Sequence, residues 1–178
     1  MAMQQPEAPV GAQPTVLVMV EVPKGCQNKY EFDTRSGRLV LNRVLYSPLY
    51  YPGEYGFVPE TLAEDGDPLD ALVLSTAPTF PGCVVPVRLL GVLEMSDDKG
   101  EDAKLLGAVS VDPRLQELQS LAAIPHHVLR EVEHFFRVYK ELEGKPCTIH
   151  GWKDASFAWA LVEQSRRRYL HSKADPAG

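Results

Sequence analysis

Apolar and polar positions come in short, strand-like blocks over about the first 110 residues and then change to a helical spacing. Thr15 to Val22 is β-branched and nearly continuous in apolar character, which predicts a buried strand closed by Pro23, Lys24 and Gly25. In the next block, period-2 geometry puts Lys29, Glu31 and Asp33 on one face and Tyr30 and Phe32 on the other. A turn over Thr34 to Gly37 leads into Arg38 to Leu45, a strand expected to form a hairpin with the one before it. Tyr46 to Pro59 is too interrupted by Tyr, Pro and Gly for a regular ladder and predicts a shaped loop. Ala71–Leu74, Val84–Met95 and Ala103–Ser110 read as further strands.

After Asp112-Pro113, an N-cap with proline at the first helical position, helices take over. Val128, Val132, Phe135, Phe136, Tyr139 and Leu142 form one stripe over Pro125–Glu143, with Gly144 as the stop. A short strand, Lys145–His150, precedes a final helix over about Asp154 to Leu170. Strands followed mainly by helices predict an α+β fold, a small closed or nearly closed barrel flanked by C-terminal helices. Residues 1–14 and 171–178 lack periodicity and are expected to be flexible tails around one domain over 15–170.

Composition narrows the function. With 44% hydrophobic and 24% charged residues in 178, disordered, collagenous and solenoid classes are excluded. No apolar run is long enough to span a membrane and no basic leader precedes one, so a cytoplasmic protein without a membrane partner is expected. A net charge of −6 argues against a basic face for nucleic acid. Cys26, Cys83 and Cys147 lack CxxC spacing, so neither a disulfide scaffold nor structural zinc is indicated.

The acidic residues are concentrated. Glu60, Glu64, Asp65, Asp67 and Asp70 form one cluster, and Glu94, Asp97, Asp98, Glu101 and Asp102 another. Both lie at the ends of predicted strands. In Asp65-Gly66-Asp67-Pro68-Leu69-Asp70, Gly and Pro force a fixed turn, and hard divalent cations prefer such oxygen donors. Counted from Asp65, the loop has no Gly at the sixth position and Thr76 at the twelfth, so it is not an EF-hand. Lys104 beside the second cluster asks for an anion between itself and bound metal. Phosphate fits, because its oxygens can bridge metals while Lys29, Arg43 and Tyr55 take the rest.

Five segments together resemble one family. These are Glu21 to Glu31, Tyr51-Pro52-Gly53-Glu54-Tyr55-Gly56, Asp65 to Asp70, Asp97 to Lys104, and His134 to Lys140, in order between about residues 15 and 170. They are similar to the family I soluble inorganic pyrophosphatases of compact prokaryotic type. Cys26 stands where a small polar residue is expected, a position without a catalytic role. The resemblance implies an OB-type barrel with Mg²⁺ and pyrophosphate at its mouth, Mn²⁺ or another divalent ion being an alternative. Asp65, Asp70 and Asp102 would hold the first metal, Asp70 would share the second, and Asp97 with Asp102 would serve a substrate-borne metal. Glu21 and Glu31 would act partly through waters. Lys29, Arg43, Tyr55, Lys104, Tyr139 and Lys140 would bind phosphate oxygens. A metal-activated water, with Asp67 as general base, would split diphosphate into two phosphates by in-line attack without a phosphoenzyme. A homo-oligomer, hexameric in prokaryotic members, is also implied.

Two adjoining expectations can be checked geometrically. Adjacent Tyr139 and Lys140 point about 100° apart on a helix, so both reach one ligand only near its end. The rival reading, an oligonucleotide-binding barrel, needs Tyr46, Tyr50, Tyr51, Tyr55 and Phe57 to form a stacking platform. A phosphatase for nucleotides or sugar phosphates is the rival within enzymes, but no Gly-rich phosphate loop is present.

Overall fold

A computed structural model describes residues 14–174 of the chain. Its strands are β1 (Val16–Val22), β2 (Asn28–Asp33), β3 (Arg38–Val44), β4 (Glu54–Phe57), β5 (Asp70–Leu74), β6 (Val84–Asp97), β7 (Gly100–Glu101), β8 (Lys104–Val109) and β9 (Thr148–Asp154). The helices are α1 (His126–Val138) and α2 (Ala155–Ala174). Strands β1, β4, β5, β8 and β6 follow one another in hydrogen-bonded order, and β6 pairs back to β1 to close the ring. Numbered first to fifth in chain order, these strands run 1-2-3-5-4-1, with β5 and β8 parallel and every other pair in the ring antiparallel. This is the OB-type arrangement within an α+β fold. The β2–β3 hairpin stands as a separate two-stranded sheet, while β7 and β9 extend β6 outside the ring.

In the β-branched run of β1, Val16, Val18, Val20 and Val22 are fully buried, while Leu17 and Met19 between them are half-buried. Val16, Val18, Val20, Val87 and Leu105 share one apolar cluster with Ala158 and Val162 of α2. A second cluster gathers Tyr51, Tyr55, Leu93 and Met95 beneath Val132, Phe135 and Phe136 of α1. The spine is β6, fourteen residues long and paired with β1, β7, β8 and β9.

Several expected boundaries move. Within the expected loop 46–59, Glu54–Phe57 is a ring strand between β1 and β5. Gly56 permits it, since a Cβ there would lie 1.9 Å from the Met19 carbonyl oxygen. Asp112 does cap, accepting from the Arg114 N–H at 3.0 Å, but only a 3₁₀ turn over Pro113–Leu115 follows. The buried Arg88 guanidinium takes the Leu115 and Leu118 carbonyls at 2.6 and 2.9 Å, oxygens that a continuing helix would need. The stripe expected over Pro125–Glu143 breaks after Val138, with a separate 3₁₀ turn at Glu141–Glu143 ending in left-handed Gly144. Helix α2 runs to Ala174, so residues 171–174 of the expected tail are helical. Residues 1–13 and 175–178 lie outside the described residues.

Candidate active site

Strand register brings the two acidic clusters to one end of the ring. Parallel β5 and β8 start level, with Ala71 opposite Leu105, so Asp70 and Lys104 sit side by side. Across β6 the Lys104 position faces Leu93, and the β6–β7 hairpin carries Asp97 and Asp102 over the same end. The β1–β4 register slips between Val20 and Val22, a bulge at Glu21, which lines the same cavity. The 65–70 turn is built as its composition demands. Gly66 takes φ +91°, Asp65 Oδ1 accepts the Asp67 N–H at 3.1 Å, and the Ala63 N–H donates to the Asp67 carbonyl at 2.7 Å.

The result is a cavity of about 630 Å³, and every site residue named from the sequence lines it except Arg43. Arg43 faces Lys29 across the hairpin, but its Nε donates to the nearly buried carboxylate of Glu143 at 2.9 Å. Lys104, 3% exposed, donates to Asp70 Oδ2 and Asp102 Oδ1 at 2.5 Å each. Tyr55 Oη donates to the same Asp70 oxygen at 2.7 Å. Lys140 Nζ donates to Asp97 Oδ2 at 2.5 Å, and Lys29 pairs with Glu31. Tyr139 and Lys140 reach the cavity together because α1 stops at Val138, leaving both just beyond the last turn. Tilted aromatic neighbours pack against Tyr55: its ring lies 5.1 Å from Tyr51 and 6.2 Å from Phe136.

Burial sets the protonation behaviour. Loss of solvent pushes Glu21 up to about 7, although its Oε1 accepts the Phe32 N–H at 2.7 Å and opposes the shift; Asp70 adds to it. Burial also raises Asp102, against the pull of Lys104. Asp97 lies below its ordinary value: burial favours the acid, but hydrogen bonds from Lys140 and the Lys99 amide prevail. Burial disfavours the Lys104 ammonium, yet Asp70 and Asp102 outweigh it and hold the group well above the usual lysine range.

Eight carboxylates line the cavity against five lysines. A polyanion would be repelled from it unless further cations entered. Among the described residues no three acidic, histidine or cysteine side chains gather closely enough to hold an ion by themselves. A hard divalent cation such as Mg²⁺ takes one or two carboxylates and keeps several waters. The Asp70–Asp102 pair, already sharing one ammonium, has the hard-oxygen donors such an ion needs.

A family model described as inorganic pyrophosphatase matches residues 18–170. The chain belongs to the inorganic pyrophosphatase family. An inorganic pyrophosphatase from Geobacillus stearothermophilus is 49% identical over 158 residues, spanning 89% of this chain and 96% of that protein. Among solved structures, the inorganic pyrophosphatase of Thermus thermophilus superposes with a TM-score of 0.86 at 48% identity, covering 92% of this chain and 97% of the other. One from Helicobacter pylori gives 0.85 at 40% identity, covering 88% and 94%. These relatives are of the compact prokaryotic type that the motifs indicated.

Within this pyrophosphatase fold, sequence reasoning passed over several cavity residues. Lys99 and Glu101 come from the β6–β7 turn, and Tyr169 and Lys173 from the end of α2. Lys173 lay in the expected tail; only the continuation of α2 brings it to the rim, its Nζ 5.6 Å from the Tyr169 ring centre. The stacking platform of the rival reading does not form. Tyr46 and Tyr50 are exposed, whereas Tyr51 and Tyr55 are buried at 1% and 5% exposure.

Proposed function

We propose that the chain hydrolyses inorganic pyrophosphate to two orthophosphates, using Mg²⁺ and in-line attack by water with no phosphoenzyme. The observation that carries this reading is the mixed charge of one cavity: a carboxylate surplus suited to hard cations, threaded by Lys29, Lys104 and Lys140, which suit phosphoryl oxygens. Family membership and the pyrophosphatase relatives support the same substrate.

Asp65, Asp70 and Asp102, drawn closer by its charge, would hold the first ion, Asp70 would share a second, and Asp97 with Asp102 would meet an ion arriving with substrate. Glu21 and Glu31 would contribute through water. Bound there, Mg²⁺ would neutralise phosphoryl charge and lower the pKa of water towards about 7. Lys104 would then be released from Asp70 and Asp102 to face phosphate. Asp67 is the general base, held on the Gly66 turn with its backbone bonded to Asp65 and Ala63. Lys29 from β2, Tyr55 from β4, and Tyr139 and Lys140 from just beyond α1 bind phosphate oxygens, and Arg43 joins them on leaving Glu143. Their charge stabilises the departing phosphate. Residues 15–170 form the catalytic domain, acting in the cytoplasm as a homo-oligomer, a hexamer by family resemblance.

Orthophosphate release from pyrophosphate, with and without Mg²⁺, tests the reading alongside a panel of nucleotides, sugar phosphates and single-stranded DNA. Metal-dependent release specific to pyrophosphate is expected. Release from sugar phosphates or nucleotides instead, or DNA retention without hydrolysis, would overturn it.

A further inference from the structure

The loop carrying Asp65 and Asp67 is tied to the molecule at two places. At its base, the buried Thr61 Oγ1 donates to the Val58 carbonyl at 2.6 Å and accepts the Leu69 N–H at 2.9 Å, closing the loop on itself. On its outer limb it is tied to α2. The Leu62 N–H donates to the Ser165 carbonyl at 3.0 Å, and Arg168 donates to the Leu62 carbonyl at 3.4 Å and to Glu64 Oε1 at 3.0 Å. Behind the loop lies a second cavity of about 200 Å³, bounded by Leu69, Ala103, Phe157, Leu161 and Arg168. Ala63 and Leu69 of the loop pack in one apolar cluster with Ala158, Leu161 and Val162 of α2, but the cavity leaves a gap beside that contact. The Arg168 contacts cross at the edge of that gap, where packing alone does not fix the outer limb.

We infer that Arg168 is a positioning residue for the reaction: its fork, gripping Leu62 and Glu64, sets the height of the Asp65–Asp67 turn over the cavity from the C-terminal helix. This rests on the assignment of Asp65 as a metal ligand and Asp67 as general base. Arg168 does not line the active-site cavity, although it bounds the second one together with Asp65, Asp70 and Asp102; it acts through the loop backbone. The planar guanidinium is suited to this because one side chain reaches a carbonyl and a carboxylate at once, which an ammonium does less well. The Ala63 N–H to Asp67 carbonyl bond passes the constraint from the gripped limb to the turn. Lys29 and Lys140 stand on other elements, so phosphate binding does not depend on the grip.

The test compares Arg168→Ala, Arg168→Lys and Glu64→Ala with the wild-type chain by steady-state kinetics, thermal unfolding and amide hydrogen exchange of the metal-free protein. For Arg168→Ala, kcat falls about tenfold while KM for pyrophosphate stays within about twofold, a loss typical of removing a partner that orients an active-site ligand. Exchange at Leu62 and Ala63 quickens. Arg168→Lys recovers part of kcat, Glu64→Ala loses less than Arg168→Ala, and the double variant matches Arg168→Ala alone. Wild-type kcat and unchanged exchange in Arg168→Ala would overturn the inference, as would a lower melting temperature with kcat untouched. Failure of the wild-type chain to hydrolyse pyrophosphate would instead overturn the proposed function, and the two failures are read from different samples.

Discussion

Glu21 is a group that the fold holds at a cost, and the cost can be measured. It is 8% exposed, and burial moves its carboxyl from the ordinary 4.5 to about 7, with the Phe32 amide opposing and Asp70 reinforcing. At 1.36 kcal/mol per decade, that displacement corresponds to about 3 kcal/mol. Between pH 4.5 and 7 the folded chain keeps a proton that the unfolded chain has lost. The stabilisation from this group is therefore complete below pH 4.5 and disappears as pH rises through 7. Glu21→Gln is neutral throughout and keeps an oxygen for the Phe32 N–H. In EDTA the variant and the wild-type chain should have equal stability below pH 4.5, judged by urea unfolding. At pH 8 the variant should be more stable by up to about 3 kcal/mol, which for a chain of this length raises the melting temperature by about 2–4 °C per kcal/mol. Mg²⁺ should narrow the gap by favouring the carboxylate, and turnover of the variant should fall. Equal stabilities at pH 8 without metal, or a more stable wild-type chain there, would refute the reasoning.

Asp67→Asn should lower kcat by about 10²–10⁴ at saturating Mg²⁺, the range for loss of a general base, and near wild-type turnover would dismiss Asp67 from that role. Lys104→Met leaves Asp70 and Asp102 facing each other and should destabilise the metal-free chain by about 3–5 kcal/mol; unfolding midpoints with and without Mg²⁺ should show the variant gaining more from the ion. Glu54 is fully buried and accepts from Ser75 Oγ, Thr79 N–H and Thr79 Oγ1 at 3.0, 3.2 and 2.6 Å, far from the acidic turns in role. Glu54→Ala should cost about 2–4 kcal/mol by leaving those donors unpaired, with kcat of the folded fraction unchanged.

The ring strands were readable where burial demanded it, because Val16 to Val22 and Val84 to Met95 are rich in β-branched and aliphatic residues that suit a buried ladder. Strand β4 was not. Its pairing depends on how closely Gly56 approaches Met19, a contact set by register rather than by local composition. The single helix expected over 125–143 failed for a similar reason. Its stripe holds as far as Tyr139, whereas Leu142 is exposed, and the Lys140–Asp97 ion pair, joining residues 43 positions apart, accompanies the break after Val138. Arg43 shows the limit most plainly: a register shift between Lys29 and Tyr30 puts it opposite Lys29, and the direction of its guanidinium is decided by Glu143, a hundred residues away. The acidic turn at 65–70 was readable because Gly66 and Pro68 constrain the chain locally. The polar end of α2 offered no stripe to extend the helix, so Tyr169 and Lys173 at the rim and the Arg168 grip could be seen only in three dimensions.

The most direct test of a cavity built for hard cations and a phosphoanhydride is an anomalous difference map from crystals grown with Mn²⁺ and a non-hydrolysable imidodiphosphate. Manganese peaks liganded by Asp65, Asp70 and Asp102, with Lys104 turned from its two aspartates towards the analogue, are the expected result. A map with the analogue elsewhere, or with no manganese among those carboxylates, would contradict it.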